Sequence, residues 1–363
     1  MEKTNHRGAN AMKHRHIRWL AAILTMVLLG TAGCGRTPDT PDISTPIGDT
    51  TTTTTTAATT TTTAKQPAIN PLTGIRDMTT DLNRPVGFVV TDESAKVTQL
   101  HLESADFYFE AETEGGIPRI LAVYSSLDRI PDTIGPVRSA RTHFVKMAKA
   151  MDMIYCHIGG SQGGKDTIKE LGVADLGNEY EINDILKNSS NVSWNRSAFT
   201  AKKVLSAVKS KGYRTSTTVK SPYAFGEKTG SMPATTVDVQ ISESFDMAFT
   251  YDAASGLYQK HRNALSTPIH TTYTGGTVEA RNVIVMYDHR FVDPNDAKRY
   301  DFDLESGSGI LASGGTSREI RWVRNDSGLH YYESDGTTPL TVATGKTFVC
   351  LVSDTLKGRT RIE

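Results

Sequence analysis

The stretch Gly135-Pro136-Val137-Arg138-Ser139-Ala140-Arg141 sets two arginines three positions apart between apolar runs. No other stretch limits the fold as much. Before it stand Phe107-Tyr108-Phe109-Glu110-Ala111-Glu112 and Ile120-Leu121-Ala122-Val123-Tyr124; after it come a helical pattern and Met153-Ile154-Tyr155-Cys156-His157-Ile158-Gly159-Gly160-Ser161. Runs of this kind are buried, and a charge carried into the interior must be paired or hydrogen-bonded. The arginines, the acids and His157 are therefore expected to form one polar centre among buried strands.

The N-terminus bounds location. A basic stretch leads into eleven uncharged residues, Trp19 to Leu29, then small residues and Cys34. That length suits a signal peptide, whereas a membrane-spanning helix needs about 20 apolar residues. Residues 1–34 read as a bacterial lipoprotein signal with Cys34 as the acylated residue, although Thr31 departs from the usual leucine. Uncleaved anchoring or ordinary secretion are the alternatives, and both export the chain. The expected location is the extracytoplasmic side of the cell membrane, with the lipid as the membrane contact. Residues 1–33 hold five basic residues against Glu2, so the remainder carries 35 basic and 39 acidic residues, a net of −4. Such a balance gives no reason to bind nucleic acid. With Cys34 lipidated, Cys156 and Cys350 remain, each in an apolar run; they read as separate buried thiols, with one disulfide as the alternative.

Residues 35–69 hold two threonine tracts and no apolar periodicity, and read as a disordered tether. The folded region is expected to be α+β: a mixed-sheet domain with helices over 70–235, then a smaller β-rich domain over 236–363. Arg84–Val90 reads as a strand, Phe107–Thr113 and Ile120–Ser125 as a hairpin around Glu114-Gly115-Gly116. Ser139 caps a helix to about Lys149, and Ala198–Lys211 repeats Ala201, Val204, Leu205 and Val208 at helical spacing before Gly212. Later strands are expected at Phe245–Tyr251, Leu257–Lys260, Val278–Tyr287 (broken at Arg281-Asn282), Glu319–Arg324, His330–Glu333, Leu340–Val342 and Thr347–Val352. Strands are allowed to cross the boundary at 235.

Arg84-Pro85, Ser104-Ala105-Asp106, Glu110, Glu114-Gly115-Gly116, Arg119, Gly135–Arg141 and His157–Ser161 resemble the YerB-like family of bacterial lipoproteins. Asn282-Val283-Ile284-Val285, Gly307-Ser308-Gly309, Trp322 and Gly345-Lys346-Thr347 continue the likeness, which spans about residues 70 to 354. The resemblance implies an α+β N-terminal domain, a smaller C-terminal domain and surface anchoring; it implies no reaction, ligand or cofactor. Family members often carry a Pro-His pair where Asn195-Arg196 stands here.

The candidate site is built from these residues. Arg119, Arg138 and Ser161 are candidate ligand-binding residues, since guanidinium offers a planar donor fork for carboxylate or phosphate. Arg141 is expected to pair internally with Glu110 or Glu112, which period two places on one strand face; Asp106 and Glu114 are further acids within reach of the arginines. The alternatives are an internal ion network, or acid–base chemistry or a divalent cation at Glu110 and Glu112. Gly159-Gly160-Ser161-Gln162-Gly163 fits the G-x-S-x-G pattern, making Ser161, with His157, a candidate nucleophile centre. Its competing readings are an N-capping serine and an anion held by loop amides. Asp288-His289-Arg290, Asp293, Asn295 and Asp296 lack calcium-loop spacing and read as a solvated turn; Trp322 and Tyr331-Tyr332 read as core before glycan surface. No metal or cofactor is expected. Binding of an envelope ligand or protein through a polar cleft of the first domain leads, ahead of an envelope hydrolase and a structural adaptor without a ligand site.

Overall fold

Val86–Thr91 (β1), Phe107–Glu112 (β2) and Pro118–Tyr124 (β3) lie side by side, and every residue of β1 and β2 is buried. The computed structural model describes residues 66–93, 99–177, 197–294, 296 and 299–363. The expected signal peptide with Cys34, nearly all of the expected tether, Asn195-Arg196 and Asn295 lie outside the described residues.

The continuous apolar character of these strands follows from cover on both faces. β2 and β3 form the expected antiparallel hairpin, with Phe107 opposite Val123 and Glu112 opposite Pro118. Gly115 and Gly116, both at positive φ, turn the chain between them; only glycine takes that conformation without steric cost. Thr142–Ala150 (α1), Ile154–Cys156 (β4), Gln162–Leu171 (α2), Ala174–Leu176 (β5) and Ala201–Lys211 (α3) complete the helical half. α3 starts at Thr200, whose side chain accepts from Lys203 N, and ends at Gly212 in the left-handed region. Val204, Ala207 and Val208 form its buried face, while Leu205, expected there, is 42% exposed.

The second half is β-rich. Met232–Pro233 (β6), Thr236–Gln240 (β7), Asp246–Asp252 (β8), Leu257–His261 (β9), Glu279–Ala280 (β10), Asn282–Asp288 (β11), Arg290–Val292 (β12) and Tyr300–Phe302 (β13) come first. Ser306–Ser313 (β14), Thr316–Asn325 (β15), Gly328–Glu333 (β16), Thr347–Ser353 (β17) and Arg361–Ile362 (β18) follow. The irregularity read at Arg281 is where the chain leaves one sheet for another. β10 closes the five-stranded sheet β10-β9-β8-β7-β18, and β11 belongs to the eleven-stranded one.

That large sheet runs β6-β15-β14-β11-β17-β2-β3-β1-β4-β5, with β16 also on β15. Its strands come from both sides of residue 235. The join is the parallel pair β17–β2, Thr347 opposite Phe107 through Leu351 opposite Ala111. Period two divides the core between two faces. Phe88, Tyr108, Ile120 and Phe348 pack with Val237, Phe249 and Tyr258 of the five-stranded sheet. Phe107, Phe109, Leu121 and Val349 pack instead with Phe144, Val145 and Met147 of α1. Trp322 and Tyr331 lie on this second face, 0% and 1% exposed, so they are core and not a stacking surface. Cys156 and Cys350 are both buried and unpaired.

β14 has no apolar alternation and was not expected. Its glycines explain it: a side chain at Gly307 would meet the Trp322 ring at 2.8 Å, and one at Gly309 would meet Val285 O at 2.5 Å. The strand is glycine-rich because its neighbours leave no room for Cβ.

Candidate functional site

Residues 138–140 run extended and do not begin the helix. Arg138 N donates to Val89 O, Ile158 N to Arg138 O, and Ala140 N to Gly159 O. With their backbone groups spent on β1 and on the 158–160 loop, these residues cannot turn, and Ser139 is not the cap. The N-cap position of α1 is Arg141, which makes no side-chain capping bond.

Three guanidinium groups converge here. Arg141 donates to Glu114 from Nε at 2.7 Å and again from Nη2, and from Nη1 to Ala140 O at 2.7 Å. Arg119 donates to the same Glu114 from Nη2 at 2.7 Å and to Ser139 O from Nη1 at 3.1 Å. Arg138 pairs with Glu93 at 3.2 Å. The arginine side chains are 5% to 12% exposed, and Glu114 is 32% exposed. Burial and then the nearby Arg141 charge push Arg119 down to about 10. Burial would raise Glu114, but the Arg141 hydrogen bonds and the two arginine charges hold it at about 2. Among the described residues these three guanidiniums meet two carboxylates, Glu114 and Glu93, and a guanidinium fork suits a carboxylate or phosphate.

The partner expected for Arg141 is corrected. Glu110 and Glu112 share a face, as period two requires, but α1 packs on the opposite one with Phe107 and Phe109. Arg141 therefore reaches past the strand end to Glu114. Glu112 pairs with Arg290, whose guanidinium lies 4.3 Å from the Tyr300 ring centre. Glu110 lies 3.4 Å from Lys260 Nζ.

That lysine belongs to a cluster which spacing alone did not reveal. Lys260 Nζ is 2.7 Å from Asp92 Oδ2, and Arg262 Nε is 2.9 Å from Asp92 Oδ1. Arg262 Nε also lies 3.1 Å from His270 Nε2. Lys260 and His270 are 0% exposed, Asp92 and Glu110 only 1% as side chains. Burial disfavours charge throughout, so the groups separate by partner. Lys260, and then His270 and Arg262, hold Asp92 far below the carboxylate range against its burial, and Lys260 is raised by Asp92 and Glu110. Burial pushes Glu110 up to about 8, against the pull of Lys260.

Ser161 is 3% exposed and caps α2, its Oγ accepting from Gly164 N at 3.0 Å. His157 does not face it: Nδ1 meets Gly159 O at 2.6 Å and Nε2 lies 3.5 Å from Asp175. The loop amides already have an anion near them, since a side chain at Gly163 would meet Asp293 Oδ2 at 2.9 Å. Asp288 accepts from Leu304 N at 2.7 Å, so the acids near residue 290 turn to different partners. Among the described residues no group of three or more His, Cys, Asp or Glu is placed to hold a metal ion.

Residues 72–214 match the N-terminal domain, and 237–349 the C-terminal domain, of the protein family of unknown function DUF3048. The chain belongs to the DUF3048 family. It is 30% identical over 294 residues to the putative lipoprotein YerB of Bacillus subtilis strain 168, covering 78% of this chain and 86% of that one. The crystal structure of B. subtilis YerB aligns with a TM-score of 0.68 at 26% identity, covering 81% of this chain and 98% of that one. No described helix is long and apolar enough to cross a membrane. Within the DUF3048 frame the arginine centre lies wholly in the N-terminal domain. The Asp92–Lys260 pair instead ties the N-terminal domain to the C-terminal one, alongside the β17–β2 join.

Proposed function

We propose that this DUF3048 protein is an envelope lipoprotein, held outside the membrane by lipid on Cys34, that binds an anionic group at Arg119 and Arg138. One observation carries the reading: two buried guanidiniums, Arg119 and Arg141, share the single carboxylate of Glu114, with Arg138 beside them. In this reading Arg141 fixes Glu114 and the start of α1, while Arg119 and Arg138 supply the fork that takes a carboxylate or phosphate. Ser161 contributes by capping α2 and so shaping the loop against Ser139. Isothermal titration with inorganic phosphate and, separately, succinate tests the site and separates the two chemistries. Saturable binding of one of them, weakened about tenfold or more by Arg138→Ala, is the expected result. Absence of binding by both anions at millimolar concentration sinks the proposal.

The anchor has its own test. Cys34→Ser is expected to abolish lipid attachment and leave the chain unprocessed or released, because the acyl group has no other attachment residue in the signal. Mass spectrometry of membrane and soluble fractions reads this directly; equal lipidation of both forms contradicts it.

A further inference from the structure

A cleft of about 250 Å³ opens where the two DUF3048 domains meet. Glu112 at the end of β2 and the Gly115-Gly116 turn line it from the N-terminal domain. Glu243 in the β7–β8 turn, Arg290 of β12 and Tyr300 of β13 line it from the other. Junctions between domains are where small-ligand sites commonly lie. At about 30 Å³ per water the space corresponds to roughly eight waters, room for a molecule of about that many heavy atoms. A side chain on Gly115 would meet nothing within 4 Å, so this wall stands clear. None of these residues belongs to the Arg119, Arg138 and Arg141 centre.

The polar groups of the cleft are fixed in advance. Arg290 Nη1 donates to Glu112 Oε1 at 2.5 Å, and the guanidinium lies 4.3 Å from the Tyr300 ring centre. The Arg290 side chain is 15% exposed and that of Glu112 only 1%. A guanidinium carries five N–H donors, and among the described residues Glu112 is the one acceptor that Arg290 meets. The other Glu112 oxygen, Oε2, is buried without a hydrogen-bond partner. A buried acceptor left unmet is costly, more so on a charged group. Free donors thus sit directly beside an unmet acceptor, and a ligand that answers both relieves the cost.

Charge balance chooses among ligands. Glu112 is matched by Arg290, and Glu243, 57% exposed, by Arg359 at 2.8 Å. Burial raises the Glu112 carboxyl above its ordinary range; Arg290 opposes this, and the Glu243 charge adds to it. An ion of a single sign therefore meets repulsion along with attraction. A molecule carrying both an ammonium and a carboxylate finds an opposite charge for each. Because Arg290 and Glu112 touch, those two groups must also be close together in the ligand. They are so in an α-amino acid, and they are held apart in γ-aminobutyrate.

We propose that this interdomain cleft binds a small α-amino acid, with its carboxylate on the free donors of Arg290 and its ammonium toward Glu112 Oε2 and Glu243. The test is isothermal titration of the folded protein with glycine, L-alanine, D-alanine, γ-aminobutyrate and acetate. Saturable binding of at least one of the three α-amino acids is expected, with γ-aminobutyrate and acetate weaker by about tenfold or more. Arg290→Lys keeps a cation for Glu112 but loses the planar fork, and Glu243→Gln changes an exposed side chain. Each should weaken α-amino acid binding about tenfold or more, with the melting temperature showing that the variant is folded. Glu243→Gln decides alone if Arg290→Lys does not fold. Binding of none of the three, equal binding of γ-aminobutyrate, or unchanged binding in either folded variant overturns the proposal.

Discussion

Asp92→Ala is expected to destabilise the folded protein by about 3–5 kcal/mol, the usual cost of breaking a buried ion pair from one side. Asp92 serves two cations, Lys260 at 2.7 Å and Arg262 at 2.9 Å, in a site where Lys260 is 0% exposed. Its removal leaves the ammonium facing Glu110 at 3.4 Å. Lys260→Met should cost less, because Arg262 still meets Asp92 and the methionine stem fills the lysine's place. Chemical denaturation of the two variants reads the asymmetry; equal losses contradict it. Glu110 adds a pH signature. Its carboxyl is pushed up to about 8 in the folded state by burial, so the folded chain holds a proton that the unfolded chain releases near the ordinary glutamate range. The stability this proton contributes is full below that range and is lost as pH rises toward 8. Glu110→Gln should flatten that slope in the same denaturation series.

Much of the frame was legible because its signals are local. Gly115-Gly116 between two apolar runs announces the β2–β3 hairpin, and Val204 and Val208 before Gly212 announce α3. β14 was not legible, since Gly307 and Gly309 look like turn residues until Trp322 and Val285 are seen to press on them. The shared face of Glu110 and Glu112 follows from strand parity. Which face α1 would cover is a tertiary fact, and that is why Glu114, and not either of those acids, meets Arg141. The Asp92–Lys260 pair spans 168 residues of chain, and no spacing rule connects such positions. Both halves of the chain enter one sheet through β17 and β2, a pairing that parallel strands leave free of any turn signal.

Arg141→Ala is the second large effect, expected at about 2–3 kcal/mol. The change removes two charge-assisted bonds to Glu114 and one to Ala140 O. Glu114 keeps Arg119 and is a third exposed, which holds the loss below that of a fully buried pair. Arg138→Ala is expected to cost about 1 kcal/mol, since its Glu93 partner retains access to water at 18% exposure. On the proposed reading the unequal costs reflect different work: Arg141 fastens the hairpin to α1, and Arg138 is the residue proposed to meet the anion. Differential scanning calorimetry of wild type, Arg138→Ala and Arg141→Ala, each with and without inorganic phosphate, measures both roles at once. The account predicts that phosphate raises the wild-type melting temperature, that Arg138→Ala melts near wild type but loses this response, and that Arg141→Ala melts roughly 5 °C lower. Equal destabilisation by the two substitutions, with the phosphate response intact in Arg138→Ala, would place both arginines in an internal network and contradict it.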